Sequence, residues 1–335
     1  MKKILNNWKH LPGVHCGSVA IRDVINYYDF DYTEEACFGL GSGLGFYYSI
    51  SEVSSPTRSI HMRGPGMEVN FFNHFGLGLS DWSYEDNSDI AMNDLIESID
   101  NDVPVLIQTD IFYLDYYNSS THFPGHIVVV CGYDDEREIF YISDTGFDEP
   151  LEISFKKLAK ARTSRFLPYP LNNNNISVDL SGKHMDIKEA VPEALRKNAD
   201  LMIRGSENLR GKSGLKIIKK WADDLPNWEY IDDWQWSSRF AYQVISKRGV
   251  DGAGFRWIYR DFLNGMKGIC PLIEELDLVS DMDRIGWEWN KVSERLKDIS
   301  ELDEINDQLI SASKHVNEIF ILESSFFNKV ADNFS

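Results

Sequence analysis

The stretch GHIVVVCGYDDEREIFYISDT, residues 125–145, constrains the fold of this chain more than any other. Two runs rich in β-branched and aromatic residues, 126–133 and 138–144, flank an acidic turn at Asp134-Asp135-Glu136. That pattern predicts a β-hairpin, with a turn longer than the two-residue ideal. In an antiparallel hairpin the first residue of one strand lies beside the last of the other. His126 opens the first run and Asp144 closes the second, so the two side chains are expected at the same end of the sheet. A carboxylate placed there can hold an imidazole by one ring nitrogen and leave the other for a partner. Each residue also has a plainer reading: His126 as a hydrogen-bonded core histidine, and Asp144 as part of an Asp-Thr-Gly turn.

A partner for the imidazole stands far upstream. In GVHCGSVAIRDVINYYDF, residues 13–30, Val19, Ile21, Val24, Ile25 and Tyr28 recur at helical spacing, which predicts a helix over 17–29. Cys16 sits at its mouth, where unpaired backbone N–H groups and the helix dipole favour a thiolate. A lone cysteine is also an ordinary small hydrophobe. Together, Cys16, His126 and Asp144 have the residue types of a thiol nucleophile, its base and the group that orients the base. His15, next to the cysteine, is the weaker candidate. Cys37 and Cys131 are expected to pack inside. The cysteines and histidines show no metal-ligand spacing, so no metal site is expected.

Around these motifs the chain alternates in character. Helices are expected within GMEVNFFNHFGL and SDIAMNDLIESIDND, the second capped by Ser88 or Asp89, and a strand within 103–112. Helices first and antiparallel strands second predict an α+β domain. The segment EEACFGLGSGLGFYY brings Gly39, Gly41, Gly43 and Gly45 after a helix and before an aromatic run. A dinucleotide fingerprint needs the opposite order, strand then glycines then helix. A loop bordering a pocket, or a plain loop, fits better. The prolines and asparagines of FLPYPLNNNNISVDLSGK, residues 166–183, predict a linker or large loop. Helices are expected beyond it at 187–203, 212–224, 233–247, 252–266, 270–298 and 301–331. The resulting division is a domain over 1–170, a linker over 171–183 and a helical domain over 184–335.

Charge narrows the class of partner. The formal net charge is −19, and residues 1–150 carry 24 Asp and Glu against 7 Lys and Arg. Nucleic acid is therefore not expected as a partner, because phosphate neutralisation needs a basic surface. An acidic field concentrates cations, and it also simply keeps a protein soluble. No apolar run is long enough for a membrane-spanning helix. With no apolar h-region at the start and four scattered cysteines, reduced thiols and a cytoplasmic location are expected.

The order Cys16, His126, Asp144, with the cysteine opening a helix and the others on strands, resembles papain-like cysteine enzymes, and among them bacteriocin-processing peptidases. Proline commonly follows the aspartate in that group; here Thr145 does. A glutamine six residues before the cysteine helps form the oxyanion hole in papain-like enzymes, and His10 occupies that position here. The resemblance thus implies His10 as an oxyanion donor beside the Cys16 N–H.

A resemblance over almost the whole chain is carried by HLPGVHCGS, EEACFGLGSGLGFYY and RGVDGAGFRWIYRDFLNGM (248–266). In that order these motifs resemble the butirosin-biosynthesis protein H family, which joins a papain-like N-terminal domain to a helical C-terminal domain. The resemblance implies an acyltransferase of antibiotic biosynthesis. Its acyl donor would be a phosphopantetheine thioester on an acyl-carrier protein, and its acceptor an amine such as an aminoglycoside. It also implies Gly41, Gly43, Phe46, Phe255 and Tyr259 as pocket walls, with no bound cofactor. Two alternatives use the same frame: a cysteine peptidase or amidohydrolase, and a non-catalytic binding protein.

Overall fold

The computed structural model describes residues 1–52, 55–167, 169–206, 212–249, 252–304 and 307–334. In chain order they form strand β1 (Lys2–Ile4), helices α1 (Cys16–Tyr27) and α2 (Glu34–Leu40), strands β2 (Leu44–Ile50) and β3 (Arg58–Arg63), and helices α3 (Met67–His74) and α4 (Ser88–Asp100). Strands β4 (Val105–Thr109), β5 (His126–Asp134), β6 (Ile139–Ser143) and β7 (Leu151–Ser154), helix α5 (Phe155–Arg162) and strand β8 (Asn175–Ser177) follow. The rest is helical: α6 (Ile187–Arg204), α7 (Leu215–Asp224), α8 (Trp234–Tyr242), α9 (Arg256–Met266), α10 (Leu272–Glu275), α11 (Leu278–Ser300) and α12 (Gln308–Asn333).

The described chain divides into two compact units, one of residues 1–37 and 77–185, the other of 38–76 and 186–335. Residues 38–76, which the sequence reading keeps within its 1–170 domain, have most of their contacts with the helical unit.

The first unit is an antiparallel sheet in the order β7-β6-β5-β4-β8, with β1 also pairing β5. β5 is long enough to serve two neighbours on one edge. Its first half pairs β4, from Val105↔Val130 to Thr109↔His126, and its last residues pair β1, Ile4 opposite Gly132. Alternate residues of β5 point to opposite faces. Val128 and Val130 join Leu95 and Ile99 of α4 and Leu158 and Ala161 of α5 in one core. Ile127 and Val129 are buried too, so both faces are covered. Helix α1 contacts β4 and β5.

The expected hairpin is β5–β6, and its turn closes at Glu138 in the left-handed region. The segment 166–183 departs from expectation. It carries β8, which pairs β4 through Leu106↔Ile176, and Asn175 bridges Ser83. Apolar and polar residues alternate here, with Ile176, Val178 and Leu180 buried and Ser177 and Asp179 exposed; beside them Asn173 Nδ2 donates to the Glu85 carbonyl, and buried Arg162 donates to the Asn173 carbonyl. Pro168 of that segment lies outside the described residues.

The second unit holds the β2–β3 hairpin and helices α3 and α6–α12. Helices α11 and α12 pack together, α11 also against α8 and α9, and α12 against α6 and α7. At its centre, buried Arg256 donates to Glu323 from Nε at 2.9 Å and from Nη2 at 3.2 Å, while Trp289 Nε1 donates to the same carboxylate at 2.6 Å. The helix expected over 270–298 is broken, because Asp277 adopts φ +53° between α10 and α11. Residues 305 and 306 of the helix expected over 301–331, and 250 and 251 of the 248–266 motif, lie outside the described residues. Among the described residues no helix is long and apolar enough to cross a membrane.

Candidate functional site

The β5–β6 register decides where His126 and Asp144 meet. Val129 pairs Ser143, and one step further along this ladder Asp144 falls opposite Val128, two residues from His126. Residues two apart share a face, so His126 and Asp144 are diagonal neighbours on one side of the sheet. Nε2 of His126 lies 2.8 Å from Asp144 Oδ1 and 2.9 Å from Oδ2, with the carboxylate buried. The ring is thereby oriented with Nδ1 as the nitrogen able to serve Cys16, which hydrogen-bonds with His126.

Cys16 reaches this point because the segment before α1 is tied along the end of β6. Trp8 Nε1 donates to Ser143 Oγ at 2.6 Å, and the Gly13 N–H donates to the Thr145 carbonyl at 2.8 Å. Between them His10 Nε2 donates to the Phe147 carbonyl at 2.7 Å. The helix mouth itself is capped by His15, whose Nδ1 accepts the Ser18 N–H at 3.1 Å. Glu34 completes the cap by accepting the His15 N–H at 2.8 Å and the Val14 N–H at 3.1 Å. His15 is thus occupied as an N-cap, a role histidine fills through a ring nitrogen in place of the usual side-chain oxygen.

Electrostatics follow from this packing. Burial works against a charged His126, but the Asp144 charge and hydrogen bond, followed by Cys16, overcome it and push its pKa up to about 10. For Asp144, burial would raise the pKa, and the charge and hydrogen bond of His126, with two phenols, hold it below the ordinary carboxylate value. The pair therefore stays ionised through neutral pH, and an imidazolium beside a thiol favours the thiolate. Cys16 is the one free cysteine with partial exposure; Cys37, Cys131 and Cys270 are buried. Burial pushes the Cys131 thiol up to about 12 and the Cys37 thiol well above its ordinary value.

His10, the expected oxyanion donor, has both ring nitrogens engaged. Its side chain is buried, with Nδ1 2.5 Å from Asp23 Oδ2 and Nε2 on the Phe147 carbonyl. A carbonyl only accepts, so Nε2 carries a proton, and both ring nitrogens are spent on structure. Burial lowers the His10 pKa, but Asp23 and the Phe147 carbonyl outweigh it and hold it above the usual imidazole value.

The expected pocket walls belong to the second unit and are buried there. Gly41 and Gly43 are buried in the second unit, and a Cβ on Gly43 would meet the Phe38 ring at 2.7 Å. Phe46 is enclosed by Trp221 and Trp289, with ring centroids 5.5 and 5.6 Å away. Phe255 packs on Phe38 at 5.6 Å, and Tyr259 on Phe262 at 5.4 Å. Phe46, Phe255 and Tyr259 are part of that unit's core. A surface cleft of about 510 Å³ in this unit is lined by Arg260, Asp283, Arg284, Trp287, Glu288 and Lys291, among others.

Two residues that sequence reading missed touch the site. Tyr116 donates to Asp144 Oδ2 at 2.8 Å and Tyr117 to Oδ1 at 3.0 Å. Their only signal was a local density of aromatics in IFYLDYYNSSTHF, which has no helical or strand period. Among the described residues no cluster of three or more His, Cys, Asp or Glu could hold a metal ion.

The family model described as butirosin biosynthesis protein H, N-terminal, matches residues 15–145, a span that begins just before Cys16 and ends just after Asp144. A second model, a domain of unknown function (DUF4872), matches residues 156–330. The chain therefore carries a domain matching the N-terminal model of butirosin biosynthesis protein H. No curated relative matches the chain. The family's N-terminal match thus covers α1 and the β5–β6 hairpin, and the second match covers α6–α12.

Proposed function

We propose that this protein is a cysteine-dependent acyltransferase of specialised-metabolite biosynthesis, built on a papain-like arrangement of Cys16, His126 and Asp144. The observation that carries the reading is His126, bound through Nε2 to a buried carboxylate while it hydrogen-bonds with a cysteine at a helix N-terminus. The match of residues 15–145 to the butirosin biosynthesis protein H N-terminal model supports the acyl-transfer class.

The steps follow from the charges. The Cys16 thiolate attacks the carbonyl carbon of a thioester, forming a new S–C bond, with the developing oxyanion facing the N-terminus of α1. Collapse breaks the bond to the departing sulfur, which takes the proton from the His126 imidazolium. Cys16 is left acylated and His126 neutral. An amine then attacks the acyl carbon, its proton passes to His126, and the amide leaves as the thiolate–imidazolium pair is restored. Asp144 stabilises the imidazolium at both ends of the cycle.

In this reading the donor is a phosphopantetheine thioester on an acyl-carrier protein and the acceptor a cationic amine. The acidic N-terminal half, with 24 Asp and Glu against 7 Lys and Arg, supports a cationic acceptor. Intact-protein mass spectrometry after mixing with an acyl-pantetheine thioester tests the proposal. Wild type is expected to gain an acyl adduct that Cys16→Ala does not, discharged faster by added amines than by buffer. Equal discharge without amine makes the protein a hydrolase. No adduct across a varied thioester panel, with Cys16 inert to alkylation, overturns catalysis.

A further inference from the structure

Asp144 receives more donors than a group that merely orients a histidine needs. Besides His126 it accepts Tyr116 at 2.8 Å, Tyr117 at 3.0 Å and the Thr145 N–H at 2.7 Å. A carboxylate offers about four acceptor sites, so these partners fill it. The phenols are held firmly. Phe147 packs edge-on against both rings, at 5.2 and 5.6 Å, and the Tyr117 ring stands edge-on to His126 at 5.4 Å.

The segment carrying them is anchored at both ends by Asp110, which is fully buried. Its Oδ1 accepts the N–H groups of Phe112 at 3.2 Å and Phe123 at 2.8 Å. Its Oδ2 accepts His122 Nδ1 at 2.7 Å and the Ser164 hydroxyl at 2.6 Å.

The chemistry gives this arrangement a purpose. When His126 hands its proton to a departing thiolate, the Asp144 carboxylate is left buried beside a neutral ring. With no other donors that state is costly, and His126 would keep its proton. We propose that Tyr116 and Tyr117 are positioning residues that stabilise the Asp144 carboxylate while His126 is neutral, and so set how readily His126 releases its proton. The inference rests on the reading of Cys16 and His126 given above. Burial, and then the Asp144 charge, push both phenols well above the ordinary tyrosine value, so they remain donors across the working range. The titratable groups facing His126 are Asp144 from the end of β6, Cys16 from α1 and Tyr117 from the segment before β5.

The sign distinguishes this role from simple scaffolding. Removing a phenol hydroxyl destabilises the lone carboxylate more than the ion pair, so His126 should hold its proton more tightly. A phenol that only props the carboxylate in place would, when lost, loosen the pair and let the proton go. The test is an NMR titration of the full chain labelled with ¹³C at histidine Cε1. It is run in the Cys16→Ala background, which removes the thiolate's hold on the ring, and the His126 signal is identified by its loss in His126→Gln. Tyr116→Phe and Tyr117→Phe keep the rings and their packing, and each is expected to raise the His126 midpoint by about half a pH unit, the double variant more. An unchanged or lowered midpoint in a single variant that melts like its parent overturns the proposal. If the double variant does not fold, the single ones decide. The readout uses no substrate, so a failure of acyl transfer at Cys16 and a failure of this inference are seen separately.

Discussion

His126 Nε2 straddles both oxygens of Asp144, 2.8 Å from Oδ1 and 2.9 Å from Oδ2, so the ion pair is held by charge and by geometry at once. The substitution Asp144→Asn separates the two contributions. Asparagine can still accept the Nε2 proton, but it supplies no charge to hold an imidazolium, and its amide cannot accept from the Tyr and Thr145 donors at both atoms. The rate of Cys16 alkylation by iodoacetamide at pH 7 is expected to fall by roughly 10- to 1000-fold, as the thiol loses its cationic neighbour. Mass spectrometry of the alkylated peptide against time measures it. A rate within threefold of wild type would mean that the carboxylate does not support the thiolate.

Stability should carry the same signature in pH. The folded His126 pKa, about 10, lies above its ordinary 6.5, so its contribution is complete below about pH 6.5 and is lost as pH rises toward 10. His10 is shifted in the same direction and adds to the loss. Asp144 is depressed, so its share is present above its ordinary 3.8 and disappears as pH falls through its folded value. Maximum stability is therefore expected between about pH 4 and 6.5, declining above it by at most ~1.4 kcal/mol per pH unit for each histidine. Urea denaturation of wild type and His126→Gln at pH 6, 7.5 and 9 checks the assignment. The gap between them should narrow as pH rises; a constant gap assigns the decline to other groups.

The buried His10–Asp23 pair makes a different forecast, because it serves the fold. His10→Ala strips Asp23 of one partner, leaving Arg22 Nη2 at 3.2 Å, and leaves the Phe147 carbonyl without its donor. The loss should be about 2–4 kcal/mol, with Asp23→Ala comparable and the double variant well short of the sum. Denaturant titrations of the four proteins complete the cycle. At a temperature where His10→Ala is folded, acyl-adduct formation should fall less than tenfold. Loss of an oxyanion donor would cost roughly 100- to 1000-fold.

How much of this was legible depended on whether a residue sits in a periodic element. His126 and Asp144 bound two runs of strand character, and Cys16 opens an amphipathic helix, so their order and elements could be read along the chain. Tyr116 and Tyr117 lie between β4 and β5 in one 3₁₀ turn, Asp115–Tyr117, where spacing carries no facing information. His10 was placed by analogy of position, and its carboxylate partner, Asp23, could not be foreseen because a three-dimensional contact between the approach segment and α1 supplies it. Strand β8 is only three residues beside an asparagine run, and the apolar alternation it opens, Ile176, Val178 and Leu180, is short enough to be masked by the prolines and asparagines around it. The glycine-rich segment is ambiguous for a related reason. Glycine marks a close approach without saying what approaches, and at Gly39 the visitor is an aromatic ring of the same unit, Phe262.

That ring gives two glycines in helices opposite expected fates. Alanine is normally favoured over glycine in a helix by up to about 1 kcal/mol, through helix propensity and a less disordered unfolded chain. Gly265, in α9, is exposed, and a Cβ there would meet nothing within 4 Å. Gly265→Ala should therefore stabilise by about 0.5–1 kcal/mol. Gly39, in α2, has the same local preference, but a Cβ would stand 2.0 Å from Cγ of Phe262. Phe262 is buried and cannot swing into solvent, so overpacking wins, and Gly39→Ala should destabilise by about 1–3 kcal/mol. Combining it with Phe262→Leu removes the ring that clashes, and the double variant should be less destabilised than the two single losses added together. Urea denaturation of the four variants measures all three quantities. Additive losses at Gly39 and Phe262 would show that the ring is not what confines position 39 to glycine.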